Sequence, residues 1–86
     1  MKNISMFITD WCPHCKRAIN WVEEIKQENP QYRDVKVEII DEEKEPHIAK
    51  QYDYYYVPTY YIENKKIYEG GTTKEILLKV FEEALK

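Results

Sequence analysis

The pattern that most constrains the fold of this chain is an amphipathic helix between two short, strand-forming runs. Residues 3–9 are apolar and prone to extended structure. An apolar stripe at spacings of three and four then predicts one buried helix face: Cys15, Ala18, Val22 and Ile25, with Ile19 alongside. Residues 35–39 alternate apolar and polar side chains, as a half-buried strand does. Such a strand–helix–strand unit makes the two strands parallel, with a right-handed crossover.

The second half of the chain predicts a short helix, a hairpin and a final helix. The short helix begins at Pro46 and carries three apolar side chains: Ile48, Ala49 and Tyr52. Residues 59–62 and 67–68 predict strands that are antiparallel, because only a tight turn at residues 63–66 joins them. A last apolar stripe then has helical spacing: Ile76, Leu77, Val80, Phe81, Ala84 and Leu85.

The start of the last helix has two candidate caps. Thr72, three residues before Glu75, has the spacing of a capping box, and Thr73 is the other candidate. The element order is therefore βαβαββα. We predict an α/β fold in a single domain over residues 1–86, with a four-stranded mixed sheet and three helices on its two faces.

Length and charge narrow the classes of partner. The chain has 86 residues, enough for one domain, and its 13 Lys+Arg against 16 Asp+Glu give a net charge of −3. Nucleic acids and anionic membranes favour a basic face, so we expect neither as a partner. Asp10 interrupts the N-terminal run before a signal-peptide core forms, and the longest uncharged run, residues 54–62, is too short to span a bilayer. We expect a soluble, monomeric protein of the cytoplasm.

Two cysteines stand at the junction between the first strand and the first helix, in the sequence Cys12-Pro13-His14-Cys15. In a reducing compartment a close cysteine pair is redox-active or metal-binding more often than structural. A cysteine at a helix N-terminus meets free N–H groups and the positive end of the helix dipole, which favour the thiolate. Cys15 lies on the same side, one turn on, within reach of the first sulfur. We predict that Cys12 is the exposed nucleophile and Cys15 the shielded resolving thiol.

Four neighbours of the pair are expected to tune the Cys12 thiolate. Pro13 suits the first helical position, where its missing N–H would have no partner. His14, Lys16 and Arg17 add ionisable or positive groups that favour a nearby anion. The reduction potentials of Cys-x-x-Cys proteins span about −270 to about −120 mV, so the two intervening residues carry energetic weight.

The chain resembles a dithiol glutaredoxin, in the thioredoxin superfamily, over essentially its full length. Residues 12–18 are similar to the start of the first glutaredoxin helix, and Val57-Pro58-Thr59 resembles the cis-proline loop of the superfamily. Gly70-Gly71 matches the paired glycines after the fourth strand. The resemblance implies a thiol–disulfide oxidoreductase, an electron carrier in cell redox homeostasis whose cysteine pair forms a reversible disulfide.

The resemblance also implies a substrate groove. Pro58 would be cis and face the cysteines, and the Val57 backbone would pair with an extended substrate. Gly70 and Gly71 would allow close backbone approach. The N–H groups of Thr72 and Thr73 would bind a carboxylate at the helix N-terminus. An aromatic side chain beside the nucleophile, here Trp11, would shape the rim.

Several departures leave the thiol partner open. Thr9 stands where a glutathione-binding Lys is usual, and Thr72-Thr73 replaces the usual acidic residue. Each missing contact is worth up to ~1 kcal/mol at an exposed site, which weakens glutathione binding without abolishing it. Pro13-His14 is similar to the dipeptide of strongly oxidising periplasmic enzymes, and Met6 replaces the buried Asp of thioredoxins.

Three hypotheses follow. The first is a glutaredoxin-like reductase of protein or small-molecule disulfides, with no bound cofactor and glutathione as a possible co-substrate. The second is a thioredoxin-like protein reduced by a flavoenzyme reductase. The third is a non-catalytic metal or iron–sulfur carrier. Zinc takes four ligands and only His14 and His47 could supplement the cysteines, so we predict no closed metal site and place His47 on the surface. A cluster bridged between two chains is disfavoured by Pro13.

Overall fold

The structure is a computed structural model that describes residues 2–86. Its four strands form one mixed sheet in the order β2-β1-β3-β4. They are β1 (Ile4–Ile8), β2 (Val37–Asp41), β3 (Thr59–Ile62) and β4 (Lys65–Glu69). β1 pairs in parallel with β2 and antiparallel with β3, and β3 pairs antiparallel with β4. The predicted four-stranded mixed sheet is confirmed.

Three α-helices cover the sheet: α1 (Pro13–Glu28), α2 (Pro46–Ala49) and α3 (Lys74–Leu85). The alternation along β1 sends Ile4, Met6 and Ile8 into a core shared with α1 and α3. Phe7 points to the opposite face, where it packs in a smaller cluster with residues of α2. The helices therefore lie on both faces, as the sequence predicts. In residues 2–86 no helix is long and apolar enough to cross a membrane.

The second strand begins two residues later than residues 35–39, the predicted range. Val35 is fully buried, but its N–H donates to the Tyr32 carbonyl at 3.1 Å and so belongs to a preceding turn. That turn follows a short 3-10 helix (Pro30–Tyr32) that no pattern in the sequence predicted. Ile4 of β1 pairs with Val37, and Ile8 pairs with Asp41. Because β1 has only five residues, its pairing sets both limits of β2.

The last hairpin is longer than predicted. β4 starts at Lys65 rather than at residue 67, and Glu63 takes a left-handed φ of 56° that closes the shorter turn. The pairing slips between Tyr60 and Tyr61, which is a β-bulge. Thr73, not Thr72, is the N-cap of α3, with its hydroxyl accepting from the Ile76 N–H at 3.2 Å.

Candidate active site

The sheet topology brings four distant segments to one end of the sheet. β1 runs antiparallel to β3, with Phe7 opposite Thr59, so the loop after β1 lies beside the loop before β3. β2 is parallel to β1, so both strands stop at this end of the sheet. Glu69, at the end of β4, is opposite Thr59 and lies at the same end. The cysteine pair, the acidic loop after β2, the proline loop and the glycine pair consequently share this end.

Cys12 is the N-cap residue of α1. Its backbone is extended, with φ −81° and ψ 118°, and Pro13 occupies the first helical position as predicted. The Cys12 carbonyl accepts hydrogen bonds from the N–H groups of Cys15 at 3.1 Å and Lys16 at 3.2 Å. The Cys12 side chain makes no capping hydrogen bond. The backbone carbonyl of Cys12, and not its thiol, therefore makes the first hydrogen bonds of the helix.

Both cysteines are buried, although the sequence predicts that Cys12 is exposed. Cys15 has 0% of its surface exposed, as expected of a shielded thiol. Cys12 is only 8% exposed, so the prediction of an exposed Cys12 is wrong. The physical reason is packing, because both cysteines belong to the core cluster that α1 forms with β1. Cys12 therefore presents only a small part of its surface to solvent.

The surroundings of Cys15 oppose its ionisation. Burial is the main cause that raises the pKa of the Cys15 thiol to about 12, and the adjoining Cys12 side chain and the Glu42 carboxylate add to it. A hydrogen bond with the Thr9 backbone acts in the opposite direction. Cys15 therefore stays protonated at neutral pH until its surroundings change.

Two of the predicted tuning residues contact each other. The Arg17 guanidinium lies 2.9 Å from His14 Nδ1 on the exposed side of α1. Because a guanidinium can only donate, this His14 nitrogen accepts, and a neutral ring then carries its proton on Nε2. Lys16 is also exposed. In residues 2–86 no hydrogen bond joins these three side chains to the Cys12 sulfur, so their effect on it would act through space.

The proline loop has the predicted backbone geometry. The peptide bond between Val57 and Pro58 is cis. Val57 is partly buried and packs against the core cluster that contains both cysteines. Pro58 is buried, and its carbonyl accepts from the Gly70 N–H at 2.9 Å. The proline loop is thereby tied to the glycine pair.

Within the chain, the two glycines differ in what their backbone requires. Gly70 has φ +104°, a conformation that favours glycine, whereas a Cβ there would lie an ordinary 3.9 Å from Tyr56. A Cβ at Gly71 would meet nothing within 4 Å, so neither glycine is needed for close packing inside the chain. The Thr72 hydroxyl donates to the Gly70 carbonyl at 2.9 Å and is 3.0 Å from the Tyr60 hydroxyl.

Three exposed aromatic side chains come from the loops at this end of the sheet. Trp11 is 68% exposed, and its indole N–H donates to the Glu43 carboxylate at 3.2 Å. Tyr55 and Tyr56 are 85% and 69% exposed, on the approach to the cis-proline. The sequence did not show which tyrosines remain at the surface. The other tyrosines of residues 52–61 are buried or half-buried.

Three acidic residues also make contacts at this end of the sheet that the sequence did not predict. Glu42 and Glu43 belong to the acidic loop after β2, where Glu42 accepts from the Tyr54 hydroxyl at 2.7 Å and Glu43 accepts from the Trp11 indole N–H at 3.2 Å. Glu69 accepts from the backbone of the proline loop. No sequence signal identifies them, because each contact joins segments that are far apart in the chain. Within the described residues, no three side chains of His, Cys, Asp or Glu converge to hold a metal ion.

Solved structures share this fold across most of their length. A malarial protein has a TM-score of 0.77 at 12% identity and covers 100% of this chain and 99% of its own. Thioredoxin O1 from Arabidopsis thaliana in the oxidized state has a TM-score of 0.76 at 21% identity, covering 100% of this chain and 79% of its own. These identities support the fold assignment alone.

Sequence comparison gives the family. The family model described as Thioredoxin matches residues 2–83. A thioredoxin of Methanocaldococcus jannaschii is 35% identical over 82 residues, which cover 95% of this chain and 94% of the relative. The superfamily prediction is thus confirmed, whereas the glutaredoxin subfamily is not supported by these matches. The chain belongs to the thioredoxin family of thiol–disulfide oxidoreductases.

Proposed function

We propose that this protein reduces disulfide bonds of other proteins through a Cys12/Cys15 dithiol–disulfide cycle, and that a flavoenzyme of the thioredoxin-reductase type supplies the electrons. One observation carries the proposal: Cys12 is the N-cap residue of α1, and the fully buried Cys15 stands one turn on. That arrangement gives one sulfur access to substrate and keeps the other in reserve. We further propose that the protein acts in the cytoplasm.

The first step is attack by the Cys12 thiolate on one sulfur of the substrate disulfide. The S–S bond of the substrate breaks, a new S–S bond joins Cys12 to the substrate, and the departing substrate sulfur takes up a proton. The N-terminal end of α1 favours negative charge on Cys12 through its dipole. The buried position of Cys12, only 8% exposed as a residue, restricts the directions from which a substrate can approach.

The second step uses Cys15. Its thiol loses a proton and attacks the Cys12 sulfur, which releases the second substrate thiolate and leaves a Cys12–Cys15 disulfide. Two electrons pass from the protein to the substrate. The pKa of Cys15, raised to about 12 mainly by burial, keeps this thiol protonated before the first step. Once Cys12 is in a mixed disulfide its negative charge is gone, and one of the causes that raises the Cys15 pKa disappears with it.

The substrate is expected to lie along the proline loop. The Val57 backbone precedes the cis-proline and packs against the cluster that holds both cysteines, so an extended peptide paired with it would bring a disulfide to Cys12. Trp11, Tyr55 and Tyr56 offer exposed aromatic surface on either side. Such surface suits the apolar side chains of an unfolded or flexible protein segment.

The proposed electron donor follows from the lack of charged side chains that would bind glutathione. Thr9 is 3% exposed and uncharged, so it offers no cation for a glutathione carboxylate. Thr73 caps α3 with its own hydroxyl, and the Thr72 hydroxyl bonds to Gly70. Neither provides the negative charge that would pair with the amino group of glutathione. The 35% identical relative is named a thioredoxin, which also favours a flavoenzyme reductase as donor.

The test compares two donor systems on one protein disulfide, such as insulin. We expect rapid reduction with NADPH and thioredoxin reductase, and slow reduction with NADPH, glutathione and glutathione reductase. Cys12→Ser should be inactive with both, because the attacking sulfur is absent. Efficient reduction at low glutathione concentration would overturn the donor assignment, and full activity of Cys12→Ser would overturn the proposed function.

A further inference from the structure

The loop before the cis-proline is anchored by an acidic side chain of the neighbouring hairpin. Glu69, at the end of β4, accepts hydrogen bonds from the backbone N–H groups of two successive loop residues, Tyr55 and Tyr56, the latter at 2.9 Å. The other oxygen of the same carboxylate pairs with Lys66 at 2.7 Å. The Glu69 side chain is only 17% exposed, so solvent competes weakly for these contacts.

Other hairpin side chains hold the two ends of this loop. At its start, the Asp53 carbonyl accepts from the Tyr61 hydroxyl at 2.6 Å and from Lys66 Nζ at 3.3 Å. At its end, the Thr59 hydroxyl donates to the Tyr56 carbonyl. Of these groups Glu69 is the one that accepts from the N–H groups of Tyr55 and Tyr56, so its contacts hold the backbone that leads into Val57.

Tyr54 packs against Phe7 and donates to Glu42, but the side chains of Tyr55 and Tyr56 have no comparable contacts to order them. Residues 53–58 form no helix or strand, and Tyr55 and Tyr56 point mostly into solvent. A segment with few buried contacts opens easily unless its polar groups are held. Two N–H groups donating to one carboxylate that is itself paired with an ammonium are charge-assisted bonds, about twice as strong as neutral ones. The hydrogen bond and charge of Lys66, with the two backbone donors, lower the pKa of Glu69 to about 2, so the carboxylate is charged at neutral pH.

We infer that Glu69 is a positioning residue for substrate binding: it holds the backbone of Tyr55 and Tyr56 so that Val57 presents its N–H and C=O to the substrate in a fixed register. This inference rests on the proposed function, because it assigns the Val57 backbone a role in binding. Glu69 acts through the loop and has no contact with either cysteine among the hydrogen bonds of the described residues.

The inference separates binding from chemistry. When only a fraction of the molecules has the loop in its binding conformation, the apparent affinity falls by that fraction. The cysteine pair lies on α1, outside the loop, so the rate of the bound complex should not change. Glu69→Ala is therefore expected to raise KM about tenfold for a loop that is ordered roughly one tenth of the time. Glu69→Gln keeps an oxygen acceptor for the two N–H groups and should recover most of that loss.

The experiment measures kcat and KM for reduction of an insulin-type protein disulfide, with dithiothreitol as donor so that the identity of the reductase does not enter. Glu83→Ala is the matched control, since Glu83 also pairs with a lysine three residues away, Lys86 at 3.0 Å, and contacts no part of the loop. Amide hydrogen exchange of Tyr55 and Tyr56, measured by NMR, is the second readout. We expect a raised KM with kcat within about twofold and faster exchange in Glu69→Ala only.

Three results distinguish the possible failures. A wild-type KM and wild-type exchange in Glu69→Ala would overturn the inference while leaving the proposed function intact. An equal fall of kcat in Glu69→Ala and Glu69→Gln, without a change of KM, would also overturn it, because it would indicate damage to the fold. A wild-type protein that reduces no disulfide would overturn the proposed function, and the exchange rates would still test whether Glu69 orders the loop.

Discussion

The two cysteines have different surroundings at the level of single contacts, which is the basis of the unequal roles proposed for them. Cys15 is enclosed by the core, and the loss of water around it is the largest cause of its raised pKa. Cys12 ends the loop after β1 and retains a narrow exposed face. Both thiols are buried, and the difference between them is the small exposed fraction of 8% that Cys12 keeps and Cys15 lacks.

The raised pKa of Cys15 predicts a loss of stability at alkaline pH. Its ordinary pKa is 9.0 and its folded value is about 12, so between these values the unfolded chain releases a proton that the folded protein keeps. Unfolding is therefore favoured as pH rises: the contribution of Cys15 is complete below pH 9 and is lost on the way to about pH 12.

Urea unfolding of the wild type and of Cys15→Ser at pH 8 and pH 10.5 measures this contribution. We expect the stability of the wild type to fall more than that of the variant over this interval, since Ser has no titration there. The comparison with the variant removes the background of tyrosines, which also titrate in this range. Equal losses in the two proteins would contradict the assigned pKa shift.

At the scale of elements, Gly70 joins β4 to the segment before α3. Its positive φ is a backbone conformation that residues with a Cβ adopt only at a cost in free energy. Its φ of +104° predicts that Gly70→Ala destabilises the fold by about 1–2 kcal/mol. Gly71→Ala is the matched control, because its Cβ would meet open space and its effect should stay within about 0.5 kcal/mol. Chemical denaturation of both variants measures the difference, and similar midpoints would contradict the role given to Gly70.

The sequence predicted element types well and their limits less well. The stripe of α1 and the cap-and-stripe pattern of α3 are local features, and both helices occur where they were predicted. The start of β2 depends on pairing with β1. Val35 fits the apolar alternation of a strand, but it is buried in the preceding turn. The bulge between Tyr60 and Tyr61 likewise reflects pairing across the hairpin, which no local pattern encodes.

At the scale of the molecule, the antiparallel pairing of β1 with β3 places the cysteine loop beside the cis-proline loop. Both motifs could be read in the sequence, and their meeting at one end of the sheet follows from the predicted fold. The contacts of Glu42, Glu43 and Glu69 could not be predicted, because they join residues 12 to 32 positions apart through the geometry of loops. The local motifs also did not determine the subfamily, because the glycine pair is compatible with more than one thiol partner.

Trapping of the mixed disulfide tests the central claim most directly. Cys15→Ser leaves the attacking sulfur of Cys12 in place and removes the thiol that would release the substrate, so the covalent complex should accumulate. Incubation of this variant with a protein disulfide, followed by mass spectrometry of tryptic peptides, should find the substrate cysteine joined to Cys12. Cys12→Ser, treated in the same way, should give no such adduct. An adduct on Cys15 in the Cys12→Ser protein, or none on Cys12 in the Cys15→Ser protein, would contradict the account.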